Sequence, residues 1–170
     1  MNSNELKTRD QIDKKYKWNI EAMISDDSAV DGDLDRIAER AEEYNRTYSG
    51  KLAESAAGLL KAHKDRDAIW MDLERIFVYA RMRRDEDNGN TTYQALADRA
   101  QSLLVKLMSA TAFFNPELIR VGHEKVEKFF AELPELERYR RELESVLRLE
   151  AHTLSPEEEK LLAEAGEMAS

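Results

Sequence analysis

At 170 residues, with 42% hydrophobic and 36% charged side chains, the chain is long enough for one buried core, and its apolar residues recur too regularly for a disordered polyampholyte. A net charge of −9, from 35 acidic against 26 basic residues, disfavours nucleic acid and anionic membrane as partners, because phosphate binding needs a basic face to displace counterions. The absence of cysteine excludes disulfides, thiolate metal sites and a cysteine nucleophile. Residues 1–13 are polar, with no apolar signal core, and no run approaches the ~18–20 apolar residues of a membrane span, so the expectation is a soluble, cytoplasmic protein.

Residues 1–30 read as an extended or irregular N-terminal arm. Tyr16, Trp18 and Ile20 alternate with polar residues, a period of two that suits an arm docked on a helix when no second strand is in view. Trp18 and Trp70 are both expected to pack, since aromatic rings dominate core energetics. Ser25-Asp26-Asp27-Ser28 marks a loop and a helix start.

From Asp33 the period becomes helical: Leu34, Ile37, Ala38, Ala41, Tyr44 and Tyr48 share a stripe, and Gly50 ends it as a C-cap glycine would. After Ser55, Leu59 and Leu60 predict a short helix, then a polar stretch. Ile69, Leu73, Ile76, Phe77 and Ala80 form the next stripe, which runs to Asp87.

Asn88-Gly89-Asn90 is a turn, and Thr91-Thr92-Tyr93-Gln94 reads as a capping box with Thr91 at the N-cap. The helix it opens carries Leu96, Ala100, Leu103, Leu104, Leu107, Thr111 and Phe114, and Asn115-Pro116 is expected to stop it. A shorter helix near His123 to Ala131 follows. Pro134 opens another with Leu136, Tyr139, Leu143, Val146 and Leu147, and Ser155-Pro156-Glu157-Glu158 starts a last one. The fold class is therefore all-α, an array of about six helices over 31–170 behind an arm over 1–30.

No catalyst is visible in the motifs. A zinc hydrolase needs about three protein ligands, commonly two supplied by H-E-x-x-H on a helix, whereas the three histidines, His63, His123 and His152, lie far apart. His123 and Glu127 are at helical spacing, but acids at a helix start favour the dipole without any metal. No G-x-S-x-G elbow, phosphate loop or dinucleotide fingerprint occurs. No residue of this chain is assigned as a metal ligand or cofactor site.

One constellation stands out. The apolar stripe Ile69, Leu73, Ile76 and Ala80 continues in helical projection into Arg83, Arg84 and Asp87, with Tyr79 beside them. Arg83 and Asp87, four residues apart, would pair at the end of the bundle. In the sharper reading Tyr79, Arg83, Arg84 and Asp87 face a substrate groove or another domain.

Several runs, taken in order, resemble the N-terminal region of oligoendopeptidase F, a branch of the thimet-type zinc metallo-oligopeptidases. They are Tyr16-Lys-Trp18-Asn-Ile20; Tyr79-Ala-Arg-Met-Arg-Arg-Asp-Glu-Asp87 with Tyr93-Gln-Ala-Leu96 and Asp98-Arg99-Ala100; Phe114-Asn-Pro-Glu-Leu118; and His152-Thr-Leu-Ser-Pro-Glu-Glu-Glu159 with Leu161-Leu-Ala-Glu-Ala-Gly166. The resemblance implies a parent of several hundred residues that cleaves short peptides in a closed cavity. It also implies that the zinc-binding H-E-x-x-H helix and its third, glutamate ligand lie downstream of Ser170. This region would then be a non-catalytic wall of the substrate channel, its partners the catalytic domain of the same polypeptide and the oligopeptide substrate. Apolar surface meant for that catalytic domain would favour self-association of the separated region. On the residues alone, a free-standing helical adaptor that docks a partner in a groove remains the alternative.

Overall fold

The computed structural model describes residues 11–152; the expected last helix from Ser155 lies outside them. Among the described residues there are six α-helices and no strand: α1 (Val30–Tyr48), α2 (Ala56–Glu86), α3 (Thr91–Thr111), α4 (Phe114–Val121), α5 (His123–Glu132) and α6 (Arg140–Leu147), with short 3-10 turns before α1 and around α6. The chain divides into two compact units, Met1–Tyr48 with Ala62–Ala112, and Ser49–Lys61 with Phe113–Ser170.

In the first unit the segment before α1 runs as 3-10 turns at Lys14–Tyr16, Ile20–Ala22 and Asp27–Ala29, joined by extended residues such as Lys17 and Asp26. Of the alternating apolar residues only Ile20 is buried. Tyr16 is exposed, and Trp18, expected to pack, is 78% exposed. Trp70 is half-buried. The last turn leads into α1 without a break because the Asp26 carboxylate accepts the Ser28 amide at 3.0 Å, and Asp31 and Asp33 sit at the positive end of the helix dipole. α1 packs on α3, burying Leu34, Ile37, Ala41 and Tyr44 from one and Leu96, Ala100, Leu103 and Leu107 from the other.

α2 corrects the expectation of two helices split by a polar stretch. It is a single helix of 31 residues. Ser55 opens it, its hydroxyl accepting the Gly58 amide at 3.0 Å. Between Leu59 and Ile69 the inward stripe is continued by Ala62, His63 and Arg66 rather than by large apolar side chains, so hydrophobic periodicity loses the helix while the backbone keeps it. No glycine or proline interrupts those positions.

The capping box is also displaced. Asn90, not Thr91, caps α3 by accepting the Thr92 and Tyr93 amides, and Gln94 donates to the Asn88 carbonyl instead of reaching back to the cap. Asparagine competes well for a cap because its short carbonyl reaches the N2 and N3 amides. α3 stops at Thr111, before Asn115-Pro116; the Thr111 hydroxyl donates to the Leu107 carbonyl at 2.9 Å. Pro116 then lies inside the first turn of α4, where a missing N–H costs no helical bond.

In the second unit Gly122, at φ +78, ends α4 and starts α5, a left-handed junction only glycine adopts cheaply. α4 and α6 pack together, and Phe114, Leu118, Val126, Phe129, Phe130, Leu136 and Leu143 form the core. Pro134 starts a 3-10 turn, Pro134–Tyr139, that becomes helical at Arg140. Gly50, at φ +80, turns the chain after α1 as expected. Buried Glu117 in the first turn of α4 holds the loop that follows, accepting the Gly50 and Leu52 amides at 2.7 Å each.

Two charge-assisted bonds to one carboxylate predict that Glu117→Ala lowers unfolding stability by about 2–4 kcal/mol, because two amides lose their acceptor. Glu117→Gln, with one acceptor oxygen, should fall between. Urea titrations followed by circular dichroism measure both.

Candidate functional site

Of the four residues singled out in the sequence, the fold brings two together and separates two. Tyr79 and Arg83, one turn apart on α2, enter a shared network; Arg84 and Asp87 do not. Arg84 bonds to its neighbour Asp85 at 2.9 Å, and Asp87 accepts the Gly89 amide at 2.9 Å in the turn before α3. The expected Arg83–Asp87 pair is replaced by one at spacing three: Arg83 Nη1 bonds to Glu86 at 3.1 Å. Asp87 lies just past the end of α2, where the turn's amide competes for its carboxylate.

Every nitrogen of the Arg83 guanidinium has a partner. Nε donates to the Tyr79 hydroxyl at 3.1 Å, and Nη2 to Glu21 at 3.1 Å. The cation also lies 5.3 Å from the Tyr79 ring centroid and 5.7 Å from that of Tyr93. Asp27 closes the network, accepting the Tyr79 hydroxyl through one oxygen and that of Tyr93, at 2.8 Å, through the other. Four segments of the first unit thus meet: the turn at Glu21, the turn at Asp27, the end of α2 and the start of α3.

The electrostatics follow from burial. Desolvation, and then the bond to Asp27, push the Tyr79 hydroxyl up to about 12, and burial with the same carboxylate raises Tyr93. For Arg83, burial opposes the charge but hydrogen bonds to Tyr79 and Glu86 outweigh it, so its proton is held more firmly than usual. The two hydroxyls and the guanidinium therefore all hold their protons near neutrality. Sequence reasoning missed Glu21, Asp27, Glu86 and Tyr93; only the i,i+3 spacing of Arg83 and Glu86 was available as a signal.

Beside the network lies a cavity of about 530 Å³ lined by Lys14, Lys17, Trp18, Asn19, Glu21 and Glu86. Among the described residues no group of three or more histidine, cysteine or acidic side chains is placed to hold a metal ion. Glu127, the partner considered for His123, bonds to Arg140 at 2.7 Å. His63 is wholly buried, and its Nδ1 faces Arg66 Nη2 at 3.2 Å, which requires that nitrogen to accept. Burial, and then the Arg66 charge, depress its pKa to about 3.

Comparison with known proteins matches this chain, rather than any particular site in it, to the following relatives. The family model described as Oligopeptidase F matches residues 117–170. Oligopeptidase PepF of Bacillus subtilis is 35% identical over 166 residues, 98% of this chain and 25% of that protein. The plasmid-borne oligoendopeptidase F of Lactococcus lactis subsp. cremoris is 33% identical over 95% of this chain and 27% of that protein. The crystal structure of oligoendopeptidase-F from Enterococcus faecium superposes with a TM-score of 0.68 at 35% identity, covering 84% of this chain and 27% of that one. The crystal structure of a protein described as a putative peptidase from Chlamydophila abortus gives a TM-score of 0.83 at 25% identity, covering 95% of this chain and 27% of that one. The chain spans about a quarter of the length of the curated relatives it matches.

Two outcomes are expected at these residues. Arg83→Ala should cost about 1–3 kcal/mol, since the partly buried Glu86 and the Tyr79 hydroxyl each lose a charge-assisted bond, while Arg84→Ala should stay within about 0.5 kcal/mol; thermal melts of both distinguish them. For His63 the unfolded pKa of 6.5 exceeds the folded value of about 3, so the unfolded state takes up the proton first as pH falls. Stability should be flat above about pH 7 and drop by roughly 2 kcal/mol on going to pH 5, a slope that His63→Gln lacks in urea melts at each pH. Sequence and fold together identify the chain as a member of the oligoendopeptidase F family, matching that family's N-terminal region.

Proposed function

We propose that this region is the non-catalytic helical part of a zinc-dependent oligoendopeptidase, forming part of the wall of the channel that admits short peptides. The alignment of 98% of this chain with a quarter of an oligopeptidase supports that division of labour most directly. Zinc-dependent hydrolysis needs a metal with an open coordination position, and no described residues gather ligands for one. In this reading the zinc and the general base belong to the remainder of the polypeptide. The helices here restrict entry by shape, which admits short peptides and excludes folded proteins. No helix among the described residues is long and apolar enough to cross a membrane, and a cytoplasmic location is part of the same proposal.

Tyr79 and Arg83 contribute by holding the end of α2 against the segment before α1, which shapes the Trp18 cavity wall through Glu21 and Glu86. Arg84 and Asp87 remain candidates for the channel or for an inter-domain face.

A fluorogenic oligopeptide tests the proposal. The chain alone should show no turnover with or without added zinc, and the polypeptide extended by its downstream coding sequence should turn over and stop on chelation. Chelator-sensitive cleavage by the chain alone would overturn it.

A further inference from the structure

We propose that the cavity beside Trp18 binds the free carboxylate end of a short peptide, an inference that rests on the peptide-handling reading above and gives it a location. At about 530 Å³ the cavity falls within the roughly 300–1,000 Å³ of small-ligand sites and matches a terminal dipeptide better than a folded partner.

The charges set the sign of the ligand. The 3-10 turn at Lys14–Tyr16 closes with the Lys17 amide on the Lys14 carbonyl at 3.0 Å, and both lysines line the cavity. Neither forms an ion pair with a described residue, whereas Lys15, outside the cavity, is paired with Asp13 at 3.6 Å. Glu21 and Glu86 line the same cavity, but both are already bonded to Arg83 at 3.1 Å. Arg83 holds both acids in place but offsets only one of their two charges, and Lys14 also acts on Glu21, so Lys14, Lys17 and Arg83 against Glu21 and Glu86 leave one net positive charge to attract an anion.

The remaining lining decides which anion. Trp18 is 78% exposed although Ile20, two residues on, is buried, so the local backbone turns the indole outward beside the lysines. An indole offers an apolar face to a side chain, and Asn19 supplies both a donor and an acceptor suited to an amide group. A C-terminal residue with an apolar side chain uses all three features: carboxylate on Lys14 and Lys17, side chain on Trp18, peptide bond on Asn19. Inorganic phosphate would use only the lysines.

The test is a titration of the chain itself. In a Trp70→Phe background Trp18 is the one remaining tryptophan, and its fluorescence should change saturably with Ala-Ala-Leu. The C-terminal amide of that peptide, and the Lys14→Gln/Lys17→Gln variant, should each bind at least about tenfold more weakly. Lys14 is exposed, Lys17 is half-buried and neither lies in an α-helix, so circular dichroism and melting should be unchanged. Should Trp70→Phe fail to fold, the Trp18 indole N–H resonance of the unmodified chain gives the same titration. Equal binding of acid and amide, absence of a saturable change, or full competition by inorganic phosphate would overturn the proposal. Hydrolysis by the extended polypeptide is read separately, so loss of this site leaves the family-level reading standing.

Discussion

A guanidinium or imidazole on the inward stripe of a helix must be met by partners from elsewhere in the fold, because stranding it away from water costs several kcal/mol. α2 places His63, Arg66 and Arg83 on that stripe, and much of the first unit is arranged around them. Arg83 is the clearest case, with its side chain 16% exposed and bonded to Tyr79, Glu86 and Glu21. Through Tyr79 and Tyr93 it is tied to Asp27, whose turn feeds directly into α1. The start of one helix, the end of the second and the start of the third are thus fixed by one cation and the carboxylates and hydroxyls it gathers.

This accounts for the separation between the candidate residues. A stripe position such as Arg83 is committed to partners by burial, whereas Arg84, more exposed, needs only the adjacent Asp85. The network is chemically quiet: its tyrosines titrate far above neutrality and its arginine keeps its proton. That suits a scaffold that shapes a cavity wall rather than a group that transfers protons. Glu117 does similar work in the second unit, where one carboxylate replaces two missing backbone acceptors for the loop after α1.

Family membership and the shortness of the match fit together in the same way. The chain aligns along nearly its whole length with relatives about four times longer, and its described residues form a helical region that positions loops and lines cavities. The cavity at Trp18 adds chemical detail, because its two lysines together with Arg83 outnumber the two neighbouring acids by one charge.

The sequence by itself determined the helical class, the stripes of α1 and α3, the glycine turn at Gly50, and the family, because periodic burial and ordered runs of residues are local properties of the chain. Tertiary structure decided the rest. Only packing shows that His63 and Arg66 are inward residues and that α2 is therefore continuous, since polar side chains on a stripe look like a gap until their partners are in place. Only the fold brings Glu21 to Arg83 and Asp27 to Tyr79, 62 and 52 residues apart in the chain. Competition among close alternatives settled the caps, with Asn90 prevailing over Thr91 and Thr111 ending α3 ahead of Pro116, and such contests of about 1 kcal/mol depend on neighbours that composition does not reveal.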